Sequence, residues 1–320
     1  MRRALPSPLP RRHGLEPAEL RLPDDGQWPT LLDYLRARLP WAQPGRLEAM
    51  LDDGEVVDRD GPLGRHTPYR PGTSIWFHRD LPDEAPVPFE IDVLYRDDDL
   101  LVVDKPHFLA TIPRGRHVLQ TALVRLRTEL DLPALSPAHR LDRITAGVVL
   151  FVVRPELRGA YQSLFEHRSV RKVYEAVAPF DPAVELPVER VSRIVKERGV
   201  FAAQELPGEP NSSTRIELVE QRGELGRYRL LPVTGRTHQL RLHLCALGLP
   251  ILGDPLYPVV LDRAVDDWSR PLQLLARSLE FTDPLSGQAR RFESRRSLQA
   301  WTAYGEWLGA VPEVGSGALS

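Results

Sequence analysis

Asp142 stands between two arginines in His139-Arg140-Leu141-Asp142-Arg143, and Ile144-Thr145-Ala146-Gly147 leads on directly into the apolar run 148–153. Cationic neighbours keep a carboxylate ionised, and an ionised, oriented carboxylate can act as nucleophile or base. A plain surface ion pair at a strand start would have the same local pattern. A second group is Thr234-Gly235-Arg236-Thr237-His238-Gln239-Leu240-Arg241-Leu242-His243. Here Gly235 allows a close approach, the N–H groups of a helix start can bind an anion, and Arg236 and Arg241 supply cations. His238 and His243 are five apart and do not share a helix face as a metal pair would, so no metal is expected. A third group is Arg171-Lys172-Val173-Tyr174-Glu175. On a strand, Lys172 and Tyr174 share one face, and a tyrosine offers a flat stacking surface with a hydroxyl. Two further segments, Val102-Val103-Asp104-Lys105-Pro106 and Gly248-Leu249-Pro250-Ile251-Leu252-Gly253-Asp254-Pro255-Leu256-Tyr257, are a charged turn and a rigid loop that name no reaction alone.

The elements that must position these groups are legible in outline. Residues 30–40 predict a short amphipathic helix with Leu31, Leu32, Leu35 and Leu39 on one face and Thr30 as N-cap. Residues 45–54 predict a second helix carrying Leu47, Met50 and Leu51. The stretches 55–61 and 73–78 read as short strands. Pro- and acid-rich residues 79–90 read as a linker. Beyond it, 91–95 and 100–103 read as strands joined by a solvated acidic turn at 97–99. Residues 120–130 and 156–166 read as helices, and 148–153, 172–178 and 214–219 as strands. Residues 238–247 read as a helix stopped by Gly248, although Leu240, Leu242 and Leu244 would also alternate along a strand. Strands and helices mix without regular β-α alternation, which predicts an α+β fold.

The chain has 320 residues, 42% of them hydrophobic, with a formal charge of −2. That is enough for a sizeable core and excludes wholesale disorder. One cysteine, Cys245, excludes an internal disulfide framework and fits a reducing compartment. No apolar run reaches the roughly 18 residues of a membrane span, and the Pro/Arg-rich start lacks the apolar core of a secretory signal. Residues 1–100 carry 13 basic and 19 acidic side chains, whereas 101–260 carry 22 and 17. The local excess of positive charge, which is what phosphate contacts need, lies in the middle of the chain.

In order and spacing, five segments resemble the RluA-type family of RNA pseudouridine synthases: LLVVDKP, HRLDRITAGVVLF, RKVYEAV, GRTHQLRLHL and GLPILGDPLY. The resemblance covers residues 90–260 and extends to about 310. Ala146 stands where the family usually has serine, Asp104 where it has asparagine and Leu249 where it has histidine. HFLATIPRGRH replaces a commoner glycine-containing stretch, bringing Arg114, Arg116 and His117. The resemblance implies an α+β catalytic domain on a mixed, mainly antiparallel sheet flanked by helices, isomerisation of uridine to pseudouridine in ribosomal or transfer RNA, and no cofactor. It implies that Asp142 is the catalytic aspartate, that Arg140 fills the space left by a flipped base, and that Tyr174 lies against the uracil. Arg236 matches the arginine that pairs with the catalytic carboxylate, Arg241 being the alternative. His139, Lys172, Leu240 and Arg241 complete the expected RNA-contact and base-flipping surface, with Leu240 in its apolar wall.

The expected organisation is a flexible tail (1–22), a small domain resembling the alpha-L RNA-binding domain (23–80) that positions more than it grips RNA, a linker (81–89), the catalytic domain (90–310) and a disordered tail (311–320). A cytoplasmic monomer is expected. One rival is a non-catalytic RNA-binding protein on the same scaffold. The other is a glycoside hydrolase or nucleosidase pairing Asp142 with Glu175 or Asp254.

Overall fold

The computed structural model describes residues 7–309 except Trp41, Arg198 and Phe201, and divides into two compact units, Met1–Pro82 and Asp83–Ser320. The first unit contains β1 (Ala18–Arg21), α1 (Leu31–Arg38), α2 (Arg46–Asp52) and β2 (Ser74–Phe77). Thr30 caps α1 reciprocally with Asp33: the Asp33 N–H donates to Thr30 Oγ1 and the Thr30 N–H to Asp33 Oδ2, both at 3.2 Å. Leu31, Leu35, Leu47, Met50 and Leu51 meet Ile75 in one buried cluster. Two sequence expectations need correcting here. Residues 18–21, expected within a flexible tail, pair antiparallel with β2. Residues 55–61 form no strand; Val57 makes only isolated bridges to Pro62 and Trp76.

The second unit runs β3 (Asp92–Arg96), β4 (Leu100–Lys105), α3 (Ala122–Glu129), β5 (Ser136–Pro137), β6 (Ala146–Val152), α4 (Arg158–Glu166), β7 (Arg171–Pro179), β8 (Val188–Val195), β9 (Gln204–Leu206), β10 (Ser212–Arg222), β11 (Leu225–Pro232), α5 (Gln239–Ala246), β12 (Leu274–Thr282), β13 (Ala289–Glu293), α6 (Gln299–Thr302) and α7 (Tyr304–Gly309). Eleven strands form one sheet in the order β3-β4-β6-β12-β7-β11-β10-β8-β9, with β13 on β12 and β5 on β6. Every pairing is antiparallel except β6 with β12. This is the mixed, mainly antiparallel α+β sheet that the resemblance implies. Strands β4 and β6 are buried at every position, as expected for continuous apolar runs covered on both faces. Leu123 and Leu126 of α3 cover one face with Leu101, Val103, Val149 and Phe151. Tyr161 of α4 covers the other with Val102, Val148 and Leu150. Leu240 and Leu244 of α5 pack on Ala176, Tyr228 and Leu230 in the other half of the sheet. Residues 239–246 are therefore helical, not a strand.

The acidic stretch expected as a linker is strapped down. Glu84 accepts the N–H groups of Val118, Leu119 and Gln120 at 2.7–3.0 Å, and Val87 is buried. The expected tail at 311–320 lies outside the described residues.

At the parallel junction, Gly147 pairs with Ala276 and Ala276 pairs with Tyr174. Gly147 has φ +117°, and a Cβ there would lie 2.3 Å from the Ala276 carbonyl oxygen. Only glycine fits this crossing, and it places the loop before β6 beside the start of β7.

Candidate active site

Asp142 lies on that loop, and its side chain, 38% exposed, opens into a cleft of about 590 Å³. Below it the loop is braced. Thr111 Oγ1 accepts the Leu141 N–H at 3.1 Å and donates to the Leu141 carbonyl at 2.8 Å. The Lys105 ammonium, fully buried, donates to the carbonyls of Pro106, Leu109 and Arg143 at 2.8, 2.8 and 3.3 Å. Burial pushes the Lys105 pKa well down, and the Asp142 carboxylate opposes that shift.

Arg241, not Arg236, is the cation facing Asp142. Its Nη1 lies 3.9 Å from Asp142 Oδ2. Its Nε and Nη2 bond Asp254 at 2.7 and 2.5 Å, and its guanidinium lies 5.1 Å from the Tyr257 ring centroid. With 2% of its side chain exposed, Arg241 is no RNA-backbone contact. Arg236, in the turn before α5, lies exposed at the rim of the cleft and donates to the Asn211 carbonyl at 3.2 Å. The His238 Nε2 is also 3.9 Å from Asp142 Oδ2. The Tyr257 hydroxyl bonds the Ala203 carbonyl and N–H, both at 2.8 Å, and lies 2.9 Å from His238 Nδ1. Burial, then Arg241, push the His238 pKa down to about 4, so the ring is neutral.

The other predicted residues divide. Tyr174 lines the cleft with Leu240, which is buried as an apolar wall. Burial, then the Asp142 charge, push the Tyr174 pKa up, so its hydroxyl stays protonated. Lys172 lines the same cleft but spends its ammonium on the Thr234 carbonyl at 3.1 Å. His139 also lines the cleft and is held as a bracket: its Nε2 accepts the Leu150 N–H at 3.1 Å and its ring stacks on Phe165 at 4.3 Å. Burial pushes its pKa down to about 3. The helix start expected to bind an anion has an internal partner, since Gln239 Oε1 accepts the Arg236 N–H and the Thr234 hydroxyl. The carboxylates a glycosidase would need are engaged: Glu175 bonds Arg277 at 2.9 Å, and Asp254 bonds Arg241.

Arg114, Arg140, Arg143, Arg168 and Arg236 all line the cleft, and none forms an ion pair among the described residues. Arg143 instead lies 5.9 Å from the Phe108 ring centroid and bonds the Phe108 carbonyl at 3.3 Å. Phe108 takes φ +66° within the segment that departs from the family pattern. The other departures are accommodated. Asp104 is fully buried, and its carboxylate accepts the Ser294 hydroxyl at 2.9 Å and the Arg295 N–H at 2.7 Å, with Arg296 Nε 3.5 Å away. Ala146 and Leu249 are fully buried in apolar clusters.

Residues 99–246 match the family described as RNA pseudouridylate synthase. The dual-specificity RNA pseudouridine synthase RluA of Haemophilus influenzae is 31% identical over 220 residues, covering 64% of this chain and 93% of that one. Its namesake in Escherichia coli strain K12 is 33% identical, covering 63% and 91%. The chain belongs to the RluA-type RNA pseudouridine synthases. The synthase is thus an isomerase that converts uridine in RNA to pseudouridine. The mitochondrial tRNA pseudouridine(32) synthase of Saccharomyces cerevisiae is 30% identical, covering 65% of this chain and 46% of that one. The human RNA pseudouridylate synthase domain containing 1 shares the fold, with TM-score 0.51 at 23% identity over 72% of this chain and 99% of that one. His238, Lys105 and Thr111 are site residues to which sequence reasoning gave no role, and Asp254 entered only as the second carboxylate of a rival reading. The three-residue spacing of His238 and Arg241 is the one local signal that linked any of them to the site.

Proposed function

We propose that the synthase modifies a uridine in ribosomal or transfer RNA, as a cytoplasmic monomer, with Asp142 as its catalytic carboxylate. The observation that carries this reading is the placement of Asp142: braced from below, facing a buried arginine and opening into a cleft where five arginines lack acidic partners among the described residues. The reaction breaks the N1–C1′ bond, forms a C5–C1′ bond and transfers a proton from C5, so neither oxidant nor added water enters the balance. Asp142 would act on the sugar, either by attack at C1′ or by removing a sugar proton. The target base must leave its stack first, at a cost of a few kcal/mol. Arg140, exposed beside Asp142, would fill the vacated space. Tyr174 would lie against the uracil and offer a hydroxyl donor, because its raised pKa disfavours a phenolate base.

The turn 114–117, closed by paired bonds between Arg114 and His117, would present Arg114 and Arg116 to flanking RNA. The first unit would position more than grip. Its Arg11, Arg21, Arg36, Arg46 and Arg65 each pair with a carboxylate of the same unit, and acidic side chains outnumber basic ones in residues 1–100, which disfavours phosphates. Pseudouridine mapping tests this reading, on RNA from cells lacking the gene, incubated with wild-type protein or Asp142→Asn. A new site with wild type alone supports it. The same site with both proteins removes Asp142 from the chemistry, and no site with either favours the non-catalytic RNA-binding alternative.

A further inference from the structure

Of the five cleft arginines without an acidic partner, Arg114, Arg140, Arg168 and Arg236 are exposed and solvated. Arg143 is half-buried. Its side chain makes one hydrogen bond among the described residues, from Nη1 to the Phe108 carbonyl at 3.3 Å. The charge that acts on it is a second cation: burial first, then Arg116, push its pKa down. Glu84, the carboxylate that acts on neighbouring His117, spends its oxygens on the N–H groups of Val118, Leu119 and Gln120. A partly desolvated guanidinium without a counter-charge is costly, so its presence in the cleft needs a reason.

The surroundings hold this side chain without neutralising it. Phe108 takes φ +66°, the left-handed region that strains a residue with a Cβ, yet it is only 5% exposed. Its ring sits 6.0 Å from Phe89 and 5.5 Å from Trp268, which lie 6.2 Å from each other. Three distant segments thus fix one ring, and the Arg143 guanidinium lies over it at 5.9 Å. An aromatic face attracts a cation without consuming its N–H donors. Nε and Nη2 of Arg143 make no hydrogen bond among the described residues, and the residue lines the cleft directly after Asp142 in the chain.

We propose that Arg143, clasped by Phe108 and flanked by Arg116, is a phosphate subsite that takes one phosphodiester of the RNA strand beside the target uridine. A planar guanidinium can grip two phosphate oxygens at once, and the phosphate supplies the missing counter-charge. Residues 107–117, which provide Phe108 and Arg116, depart from the family pattern. The subsite therefore makes the position of one phosphate, relative to the flipped base, a specificity determinant of this chain. This inference rests on the proposed RNA substrate and is independent of the role of Asp142.

The test is Arg143→Met, Arg143→Lys and Phe108→Leu, made in the Asp142→Asn background so that binding is measured without turnover. The probe is a stem-loop carrying the uridine mapped with wild-type protein, or bulk transfer RNA should mapping yield no site. In filter-binding titrations Arg143→Met should raise Kd about 10- to 100-fold. The slope of log Kd against log salt should fall by about 0.7–1, the share of one phosphate. An unchanged slope overturns the proposal, whatever the affinity. Arg143→Lys should recover the slope but only part of the affinity, because the charge remains and the two-pronged geometry does not; a Kd equal to that of the arginine protein refutes the two-oxygen grip. Single methylphosphonates, each a neutral replacement for one phosphate of the stem-loop, locate the contact. One position beside the uridine should weaken binding by the arginine protein and leave Arg143→Met unaffected; losses that add at every position overturn the subsite. Phe108→Leu should lower the slope too, with the double variant no worse than Arg143→Met alone; additive losses refute the clasp. The urea midpoint of Arg143→Met should match or exceed that of the parent, since an uncompensated charge is gone; a lower midpoint with an unchanged slope would make Arg143 a fold residue only. If Phe108→Leu fails to fold, the Arg143 variants still decide. Should Asp142→Asn retain activity while Arg143→Met lowers the slope, the catalytic reading of Asp142 fails and the subsite stands.

Discussion

Gly147→Ala should be far more damaging than a single methyl suggests. The new Cβ would lie 2.3 Å from the Ala276 oxygen, 2.7 Å from its nitrogen and 2.8 Å from its carbonyl carbon. All three are backbone atoms, so no side chain can swing aside. Restoring an ordinary contact near 3.4 Å requires β6 and β12 to part by about 1 Å at their parallel junction. Overpacking of this kind costs about 1–3 kcal/mol, and alanine at φ +117° adds about 1–3 kcal/mol of backbone strain. Together these amount to about 2–6 kcal/mol of lost stability. In urea, with a slope of about 3 kcal/mol per molar for a unit of this size, the midpoint falls by about 1 M. Pseudouridine formation should fall as well, because the Asp142 loop enters β6 through this residue. Gly235→Ala is the control: nothing lies within 4 Å of its Cβ position, so its midpoint should stay within about 0.5 kcal/mol of wild type. A Gly147→Ala protein within about 1 kcal/mol of wild type would refute the steric reasoning.

Thr111→Val strips both partners from the buried Leu141 peptide. It should cost about 2–4 kcal/mol and slow turnover, whereas Thr111→Ser keeps both bonds; equal urea midpoints for the two variants would contradict this. His107, His139, His238 and His243 are each held neutral by burial, with pKa values near 4, 3, 4 and 4. The unfolded chain binds protons near pH 6.5 and the folded chain does not. Stability should therefore be full above about pH 6.5 and decline on acidification toward pH 4, each histidine contributing at most about 1.4 kcal/mol per pH unit. Urea midpoints that hold level or rise between pH 7 and 5 would count against it. Replacing Arg140 and Arg168 by alanine should weaken binding of the mapped RNA and make it less salt-dependent, while replacing Arg36 and Arg65 should leave binding within about twofold. Equal losses in filter-binding titrations would overturn the division between paired and unpaired arginines.

What was legible in the sequence was whatever depends on neighbours along the chain. The run at 148–153 could only be a strand covered on both faces, and Thr30 with Asp33 announces a helix start. Tyr174 shares a face with Lys172 because strand geometry requires it. What was not legible depends on partners far away. Strand β12 is central, yet Arg277 and Ser278 interrupt its apolar run. Arg277 is tolerated there because Glu175, 102 residues earlier, and the Ser294 and Arg296 carbonyls receive it. The same limit explains the choice between Arg236 and Arg241. Both lie in one polar run, and it is the start of α5 after Arg236, together with Asp254 thirteen residues beyond Arg241, that separates them.

These distant pairings account for how one carboxylate can be reactive inside a well-packed protein. The cleft leaves five of its arginines without acidic partners among the described residues, and Asp142 opens into that cleft. Thr111 holds the Leu141 carbonyl that precedes Asp142 and Lys105 the Arg143 carbonyl that follows it, which position the loop without adding an anion. Its one close buried cation beyond that brace is already committed to Asp254. The buried arginine it pairs with gives Asp142 a positive charge on its inner side, while its own side chain, 38% exposed, still opens into the cleft that RNA would enter.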